Sequence, residues 1–386
     1  MKHDQATSAV AASLPVALVE RAALESALAF VSRIVERRNC IPILSNARLR
    51  AYDDGLRIEA TDMDMGAVTH IPAAVDARLD LTVPARLLHD TLKGAACDLC
   101  ELRQSGKTVA LDLEGASATL NTLPASDFPE PAVAGFTHKF EIRADLLRRL
   151  LDKTAFAIST EETRYYLNGV FLHVNSEGAL MCVATDGHRL ARSLTSCPEG
   201  AAGMPGVIVS RKAVSEVLRL IPKGTKARPS REPVTIWVGV SRVRFQVGES
   251  WLDTKTIDGR FPDYQRVIPT GNDKRLRVER EPFMAALKAV MAVSSEKSHA
   301  VKLSITDGLL EVSHSNPDNG RSSRIVEAEF PHSDMEIGFN AKYLLDILGK
   351  IDSEMAVIRL ADPASPTLFE HECDGSELFV CMPMRV

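Results

Sequence analysis

Apolar residues recur at helical spacing in three stretches of the chain that resemble one another. They are residues 83–94 (VPARLLHDTLKG), 209–221 (VSRKAVSEVLRLI) and 339–350 (FNAKYLLDILGK), and their starts are 126 and 130 residues apart. Each has Pro, Ser or Asn second and a basic residue fourth, which is typical of a helix start. The pattern predicts one helix repeated three times.

Two further landmarks recur in the same order. Residues 19–28 (VERAALESAL), 142–151 (IRADLLRRLL) and 278–287 (VEREPFMAAL) share an apolar pair at i, i+4 spacing, as on one buried helical face. An acidic residue followed by Gly, at 54–55, 177–178 and 307–308, separates two alternating apolar stretches, which predicts a hairpin. The six predicted helices cover residues 20–33, 84–94, 143–153, 210–223, 281–293 and 340–350.

The repeats predict an α+β fold in which three similar domains each lay two helices on antiparallel sheets. A disordered tail is expected at residues 1–13, followed by domains at 14–134, 135–266 and 267–386. The joins fall in two extended Phe-Pro segments, near residues 123–135 and 257–273. If successive copies pack with a fixed rotation, head-to-tail association of two chains can close a ring.

A polar strand exit lies at residues 181–192 (MCVATDGHRLAR). A buried strand, Met181–Ala184, leads into a turn at Thr185, Asp186 and Gly187, because Asp bonds its own backbone and Gly tolerates positive φ. His188 and Arg189 follow. The stretch is either the wall of a binding site or an ordinary loop.

Composition narrows the class of protein. With 386 residues, 45% of them hydrophobic, the chain can fill several cores, and no apolar run reaches the length of a membrane span, roughly 18 residues. The seven cysteines are odd in number and scattered, which favours a reducing cytoplasm over a disulfide framework. The pair Cys97 and Cys100 has no second CxxC, so two partly buried thiols are favoured over a structural zinc site.

Charge is distributed unevenly. The net charge is −5, yet the six predicted helices carry +7 and the remainder −12. Basic helices suit a surface that faces a polyanion, although Lys and Arg also simply favour helices. No base-reading motif accompanies them, so contact independent of nucleic-acid sequence is expected. The basic residues to test are Arg33, Arg37, Arg38, Arg148, Arg149, Lys153, Arg211 and Lys212.

Five motifs together resemble one known family. They are RYYLNGV at 164–170, ATDGHRLAR at 184–192, RFPDYQRVIP at 260–269, MEIGFNAKYLLDIL at 335–348 and MPMR at 382–385. In this order they resemble the beta subunit of bacterial DNA polymerase III, the sliding clamp, over residues 14–386. The resemblance implies a head-to-tail dimer that forms a six-domain ring around duplex DNA. Its implied partners are the polymerase catalytic subunit, the clamp loader, and other polymerases and repair proteins.

The resemblance also implies two sets of site residues. A pocket for short hydrophobic partner peptides would comprise Leu167, Thr185, Gly187, His188, Arg189, Leu190, Pro262, Arg266, Val267, Asn340, Tyr343, Val380, Met382, Pro383, Met384 and Arg385. The DNA-facing set would comprise Arg38, Arg86, Arg164, Tyr165, Tyr166, Arg211 and Lys212. Ser298, Cys381 and Val386 depart from the family pattern near the pocket, which puts its peptide preference in doubt.

Two other classes of protein compete with this interpretation. A metal-dependent nuclease would place Asp62, Asp64, Asp186 and His188 around a divalent ion, but Asp62 and Asp186 occupy the same turn in successive repeats and should lie apart. A protein scaffold that never meets DNA is the second alternative. The sequence predicts a protein that is not an enzyme, without catalytic residues, metal or cofactor, and the lack of a P-loop implies that an ATP-driven partner loads it.

Overall fold

The structure is a computed structural model that describes residues 16–36, 40–76, 78–130, 135–225, 227–293, 299–372 and 375–385. The predicted tail, residues 1–13, lies outside the described residues. So do four residues singled out above, namely Arg37, Arg38, Ser298 and Val386.

Two α-helices occur in each predicted repeat of the described chain, as the periodicity predicted. They are α1 Arg21–Val31, α2 Ala85–Lys93, α3 Ala144–Ala155, α4 Arg211–Leu220, α5 Arg280–Val290 and α6 Ala341–Leu348. The helix predicted for 210–223 ends earlier, at Leu220. The reason is Pro222, which drives Ile221 into the extended region (ψ 128°) and so ends the helix.

The polar residues predicted to begin helices do so. The Ser210 hydroxyl accepts from the Ala213 N–H (3.3 Å) at the start of α4, and the Asn340 side chain accepts from the Lys342 N–H (3.0 Å) at the start of α6. Each bond satisfies one of the free donors of a helix N-terminus.

Strands make up most of the remaining described structure. The first repeat has β1 Val16–Glu20, β2 Asn46–Tyr52, β3 Gly55–Thr61, β4 Met65–Ile71, β5 Ala73–Val75, β6 Asp80–Pro84, β7 Leu99–Ser105, β8 Thr108–Asp112 and β9 Ser117–Asn121. The second has β10 Phe136–Arg143, β11 Gly169–Val174, β12 Ala179–Thr185, β13 Arg189–Ser196, β14 Val207–Ser210, β15 Pro233–Gly239, β16 Arg242–Val247 and β17 Ser250–Lys255. The third has β18 Lys274–Glu279, β19 Ala300–Thr306, β20 Leu309–Asn316, β21 Gly320–Glu329, β22 Met335–Asn340, β23 Met355–Leu360, β24 Thr367–His371 and β25 Glu377–Cys381.

The chain divides into two compact units rather than one unit per repeat. The first unit ends at residue 134 and also includes residues 244–255, and the second holds residues 135–243 and those from 256 onward. In the first unit, one sheet has the order β5-β1-β7-β8-β9, and a second row pairs β17, β4, β3, β2 and β6 in turn.

The second unit contains one continuous sheet of twelve antiparallel strands. Its order is β14-β11-β12-β13-β25-β24-β23-β18-β21-β20-β19-β22. The pairing of β13 with β25, from Arg189↔Cys381 to Ser193↔Glu377, joins the second repeat to the third. Residues far apart in sequence therefore meet at the centre of this sheet.

The helices bury the apolar faces that the repeat predicted. Leu24 and Leu28 on α1, Leu147 and Leu151 on α3, and Phe283 and Leu287 on α5 are each at most 1% exposed. The predicted hairpin turns also form, and Gly178 and Gly308 both adopt φ +76°, a conformation that favours glycine. Among the described helices, none is long and apolar enough to cross a membrane.

Candidate functional site

The turn at residues 185–189 is held by its own side chains. The Thr185 hydroxyl donates to the Arg189 carbonyl (2.7 Å), and Asp186 Oδ1 accepts from the N–H groups of His188 (2.9 Å) and Arg189 (3.0 Å). Gly187, at φ +89°, completes the reversal. The turn therefore presents His188 outward from a rigid backbone.

The first repeat contains the same turn with other side chains. Thr61 Oγ1 donates to the Met65 carbonyl (2.8 Å), and Asp62 Oδ1 accepts from the N–H groups of Asp64 (3.0 Å) and Met65 (2.6 Å). Met63 takes the place of Gly187, at φ +78°. The two Asp residues thus have a shared structural role, and what distinguishes the second turn is its His-Arg pair.

Arg189 fastens this turn to two helices. Its guanidinium donates to Asp186 Oδ2 (3.0 Å), to Asp346 Oδ2 on α6 (2.6 Å) and to the Phe156 carbonyl at the end of α3 (2.9 Å). It also lies over the ring of Tyr343, 4.5 Å from the centroid. Since these contacts occupy the guanidinium, Arg189 positions the site rather than offering a free charge.

His188 and Tyr343 form one wall of the site. Their rings stack with centroids 6.2 Å apart and an interplanar angle of 22°. His188 is exposed, and Tyr343 lies on α6, whose first turn Asn340 caps. The predicted pocket residues from the second and third repeats are thus neighbours, as the shared sheet requires.

An apolar cluster forms the base of the site. It draws side chains from the 3-10 helix Glu162–Leu167, from β12, β13, β14, β24 and β25 and from the segment that connects the repeats, and all of them are at most 7% exposed: Leu167, Val183, Leu190, Ile208, Phe261, Tyr264, Leu368, Leu378 and Val380. Burial of this many large side chains at one junction fixes how the two repeats meet. Leu167, Leu190 and Val380 were predicted pocket residues, and they lie in this base.

The segment after β25 forms a rim of the site next to His188. The Met382 N–H donates to the His188 carbonyl (2.8 Å), and the Met384 N–H donates to the Gly338 carbonyl (2.9 Å). Both methionine residues are 41% exposed. Flexible thioether side chains on a fixed backbone, with Pro383 between them, suit apolar ligands of varied shape.

The connecting segment supplies three more predicted residues. Pro262 and Val267 are exposed, Val267 at 50%. Arg266 pairs with Asp263 (2.8 Å), and its side chain is 84% exposed. All three flank Tyr264, which is buried in the apolar base.

A buried polar pair beneath the base was not predicted. His173 Nε2 and the Tyr264 hydroxyl are 3.1 Å apart, and the same hydroxyl lies 3.7 Å from Met181 Sδ. Burial lowers the pKa of His173 and raises the pKa of Tyr264. Nothing in the local sequence signalled this pair, since its members are 91 residues apart.

Three predicted DNA-facing residues lie on one short 3-10 helix, Glu162–Leu167, whose last residue belongs to the apolar base. Arg164 and Tyr165 are exposed. Tyr165 and Tyr166 pack edge to face at 5.7 Å between centroids. The Arg164 guanidinium also lies against Gly187, where an added Cβ would come within 2.8 Å of Nη1. This element therefore contacts the pocket turn.

Two other predicted DNA-facing residues bind backbone carbonyls in the segments that follow helices. Arg86, at the start of α2, donates to the Val35 carbonyl after α1 (2.7 Å). Arg211, at the start of α4, donates to the carbonyls of Ile158 (3.4 Å) and Ser159 after α3. Hydrogen bonds from a charged donor are stronger than neutral ones, so these two arginines stabilise the fold whatever else they contact. Lys212 is partly buried beside Arg211.

Hydrogen bonds also run from the first helix to the second within each of these two repeats. Arg21, on α1, donates to the carbonyl of Leu92 (3.5 Å) in the last turn of α2 and to that of Cys97 (2.9 Å) beyond it. Arg148, on α3, donates to the carbonyls of Leu218 (2.7 Å) and Ile221 at the end of α4. The expectation that Arg148 simply faces a polyanion therefore needs correction.

For Lys153 the same expectation is wrong. Lys153 is 6% exposed, and its ammonium bonds to Asp352 Oδ2 (2.5 Å) and lies 3.3 Å from Glu377 Oε2. Glu377 is itself buried, and its Oε2 lies 2.5 Å from His371 Nε2. The sequence could not reveal this, because the acidic partners lie about 200 residues away. Arg149 joins the same cluster, since its Nε lies 3.9 Å from Glu377 Oε1.

Comparison with known proteins identifies the family. Models of the N-terminal, central and C-terminal domains of the DNA polymerase III beta subunit match residues 17–132, 141–263 and 265–385. The chain belongs to the DNA polymerase III beta subunit family. The resemblance inferred from the motifs is thereby confirmed, as are the three domains of the clamp fold.

Individual relatives align with this chain over almost its whole length. The beta sliding clamp of Caulobacter vibrioides is 43% identical over 375 residues, 95% of this chain and 99% of that protein. The beta sliding clamp of Escherichia coli K12 is 33% identical over 386 residues, with the same coverage. The crystal structure of the Bartonella birtlesii sliding clamp bound to griselimycin has TM-score 0.93 and 38% identity, covering 97% of this chain and all of that chain.

Cys381, which departs from the family pattern, is accommodated without disturbing the sheet. Its side chain is fully buried where β25 pairs with β13. Burial raises the pKa of the thiol to about 12, so the group behaves as a small apolar residue. Cys97 and Cys100 are buried as well, more completely than expected.

Two of the acidic residues considered as metal ligands of a nuclease form ion pairs with basic side chains instead. Asp64 pairs with Lys255 (2.8 Å), and Asp186 pairs with Arg189 (3.0 Å). Within the described parts of the chain, no group of three or more His, Cys, Asp or Glu side chains is arranged to hold a metal ion.

Proposed function

We propose that this chain is a DNA sliding clamp, a processivity factor that encircles duplex DNA and tethers a polymerase and other replication or repair proteins. The observation that carries the proposal is the apolar site at the β13–β25 junction. Solvent-exposed Val267, Met382 and Met384 surround a buried apolar base there, on backbone held by hydrogen bonds. Exposed apolar patches of this kind mark interaction sites.

The site is suited to a short hydrophobic peptide. His188 and Tyr343 provide an aromatic wall, and the methionine rim can adapt to different apolar side chains. We assign to this pocket the sixteen residues predicted above, with Arg189 and Asn340 acting through the elements that they fix. Two sliding clamps of known structure, from Bartonella birtlesii and Pseudomonas aeruginosa, bind griselimycin, which is consistent with a ligand-binding pocket in the family.

DNA contact should be diffuse. Arg164, Tyr165 and Lys212 remain the strongest candidates for phosphate contact. Arg86 and Arg211 contribute positive charge from positions that are fixed by their hydrogen bonds to backbone carbonyls. Arg38 lies outside the described residues and stays a prediction. Phosphate attraction without base readout permits sliding, and a closed ring keeps the polymerase near its template through effective concentration.

A head-to-tail dimer would close the ring. The outer edge of β9 ends a sheet in the first repeat. In the third repeat, residues 320–327 of β21 pair with residues 309–316 of β20, but β18 reaches only Ala328 and Glu329 of β21. Among the described strands, both edges are thus open, and pairing them between two copies would satisfy them.

A groove beside the β21 edge supports the same assembly. Its volume is about 500 Å³, and it lies between α5 and β21, lined by Pro282, Ala285, Ala289 and Ile325. Ile325 is 65% exposed. Three charged residues, Glu279, Arg324 and Glu327, also line the groove. An open strand edge next to a groove with apolar and charged walls favours association with a second copy.

The proposal includes partners and a location. The family is one of non-catalytic processivity factors, so the polymerase catalytic subunit would supply synthesis and an ATP-driven clamp loader would open the ring. The work would take place on DNA in the bacterial cytoplasm. No metal or cofactor is required for tethering.

The test combines loading and binding. The purified protein should be retained on nicked circular DNA after incubation with a clamp loader and ATP, and should be released when the DNA is linearised. It should also bind a fluorescent hydrophobic peptide taken from a polymerase terminus. Peptide binding without any retention on circular DNA would instead support a protein scaffold that does not encircle DNA.

A further inference from the structure

A strongly basic loop joins α4 to β15. Residues 222–232 (PKGTKARPSRE) contain four basic residues and one acidic residue, and they lie outside the five motifs that carry the family resemblance. Lys223, Arg228 and Arg231 are exposed. Within the described parts of the chain, no carboxylate forms an ion pair with any of these three side chains. Their positive charges are therefore available to a ligand.

The backbone of this loop is folded back on itself. Thr225 and Arg228 exchange two backbone hydrogen bonds (2.9 and 3.1 Å), and Thr225 Oγ1 also accepts from the Arg228 N–H (3.0 Å). Gly224, at φ +47°, lies so close to the backbone of residues 228–230 that an added Cβ would collide with it. A loop that is already held in one conformation loses less entropy when it binds a ligand.

Both ends of the loop are fixed to the α3–α4 helix pair. Arg148, on α3, donates to the Ile221 carbonyl just before the loop begins. Near the other end of the loop, the Ser230 carbonyl accepts from the Asp145 N–H (3.0 Å) in the first turn of α3. The loop therefore lies over one end of the helix pair, where α4 ends and α3 begins.

Duplex DNA is the anion that suits this position. The opposite end of α4 begins with Arg211, a member of the proposed DNA-facing set, whose charge is not neutralised by the carbonyls that it contacts. A helix of ten residues is about 15 Å long. Positive charge at both ends of such a helix matches a polyanion that carries one charge per roughly 1.7 Å of its axis, whereas a small anion reaches only one end.

We propose that Lys223, Arg228 and Arg231 form a phosphate-contact site for duplex DNA at one end of the α3–α4 pair. The contacts are made to the DNA backbone, so they are independent of base sequence. This site adds a DNA contact to those assigned above from the family resemblance. The inference rests on the proposed function, because it takes the α3–α4 pair to face the DNA.

The test measures binding of a short labelled DNA duplex to the intact protein by fluorescence anisotropy at several salt concentrations. In the loop variant, Lys223→Gln, Arg228→Gln and Arg231→Gln are combined. Each phosphate contact contributes about 0.9 to the slope of log affinity against log salt, so this variant should lower the slope by about 2–3 units. Because the three side chains are exposed, its melting temperature should not change. Replacing the two arginines with lysine should preserve the slope of the unmodified protein.

The matched control removes the same number of charges elsewhere. It combines Arg78→Gln, Lys107→Gln and Arg275→Gln, which change one lysine and two arginines, all exposed. This variant should lower the slope by less than about one unit. Equal losses in the loop variant and the control would attribute the effect to net charge and would overturn the proposed site.

Retention on nicked circular DNA separates this inference from the proposed function. If the unmodified protein is retained after loading but the loop variant keeps its full salt dependence, the loop contact is refuted and the clamp stands. If the unmodified protein is neither retained on circular DNA nor bound to the duplex, the proposed function fails, and the loop contact fails with it.

Discussion

The guanidinium carbon of Arg189 lies 4.5 Å from the centre of the Tyr343 ring, while Nη1 of the same side chain donates to Asp346 (2.6 Å). One arginine at the start of β13 thus holds α6 and the aromatic wall of the pocket in place. Stacking and forked hydrogen bonding both require the planar guanidinium, so lysine cannot replace it.

We therefore expect Arg189→Lys to weaken binding of the hydrophobic core peptide at least about tenfold, or about 1.4 kcal/mol. Anisotropy titrations would measure the affinity. Arg103→Lys, an exposed change in β7, is the control for loss of an arginine. Wild-type affinity in Arg189→Lys would show that the wall does not depend on this side chain.

Arg211 and Lys212 are adjacent, but replacing them should change different properties of the protein. Arg211→Ala leaves the carbonyls after α3 without their donor, which should lower the free energy of unfolding by about 1–3 kcal/mol. Lys212→Ala should leave thermal stability nearly unchanged and reduce the salt dependence of DNA binding by about one unit of slope. Calorimetry and DNA titrations at several salt concentrations would check both. Equal melting temperatures for the two variants would argue against a stabilising role of these Arg211 hydrogen bonds.

The buried carboxylate of Glu377 should be costly to disturb. Glu377→Gln removes the charge that faces Lys153 and His371, and breaking one partner of a buried ion pair costs about 3–5 kcal/mol. Replacing both residues, as Lys153→Met with Glu377→Leu, should recover part of this loss. Asp352→Asn, at an exposed partner of Lys153, should cost less than about 1 kcal/mol. Chemical denaturation would measure all three, and a double variant no more stable than Glu377→Gln would contradict the pairing.

Protonation of His173 at low pH should destabilise the apolar base of the pocket. Burial lowers its pKa in the folded protein, while the unfolded chain titrates near about 6.5. The unfolded state therefore binds the proton first, and the contribution of neutral His173 is complete above about pH 6.5 and is lost as pH falls below it. His173→Gln should flatten the dependence of melting temperature on pH between about 7 and 5. His188→Gln, at an exposed ring, should not, and an unchanged profile in His173→Gln would rule the mechanism out.

The open β21 edge provides a test of assembly. Ile325→Arg should shift the native mass from about twice 42 kDa towards the monomer, because a charge would enter the proposed interface. Light scattering at micromolar concentration would show the change. Val240→Arg, at a side chain that is 76% exposed in the β15–β16 turn, is the control. A dimer that survives Ile325→Arg would place the interface elsewhere.

The sequence predicted what local patterns determine. Helices, hairpins and helix-starting residues such as Ser210 and Asn340 follow from spacing over a few residues, and they were confirmed. The roles of Arg86, Arg211 and Lys153 could not be predicted, because each depends on a carbonyl or carboxylate about 50 to 200 residues away. The His173–Tyr264 pair and the continuity of the twelve-stranded sheet depend in the same way on tertiary contacts.

The pairing of β13 with β25 can form only late in the synthesis of the chain. β13 begins at residue 189, and its partner ends at residue 381, so the ribosome must add about 190 residues before that edge can be covered. At about 5–20 residues per second this takes on the order of ten to forty seconds. During this interval the nascent chain carries an uncovered strand beside apolar residues that later form the pocket base, which is where a chaperone would be most needed.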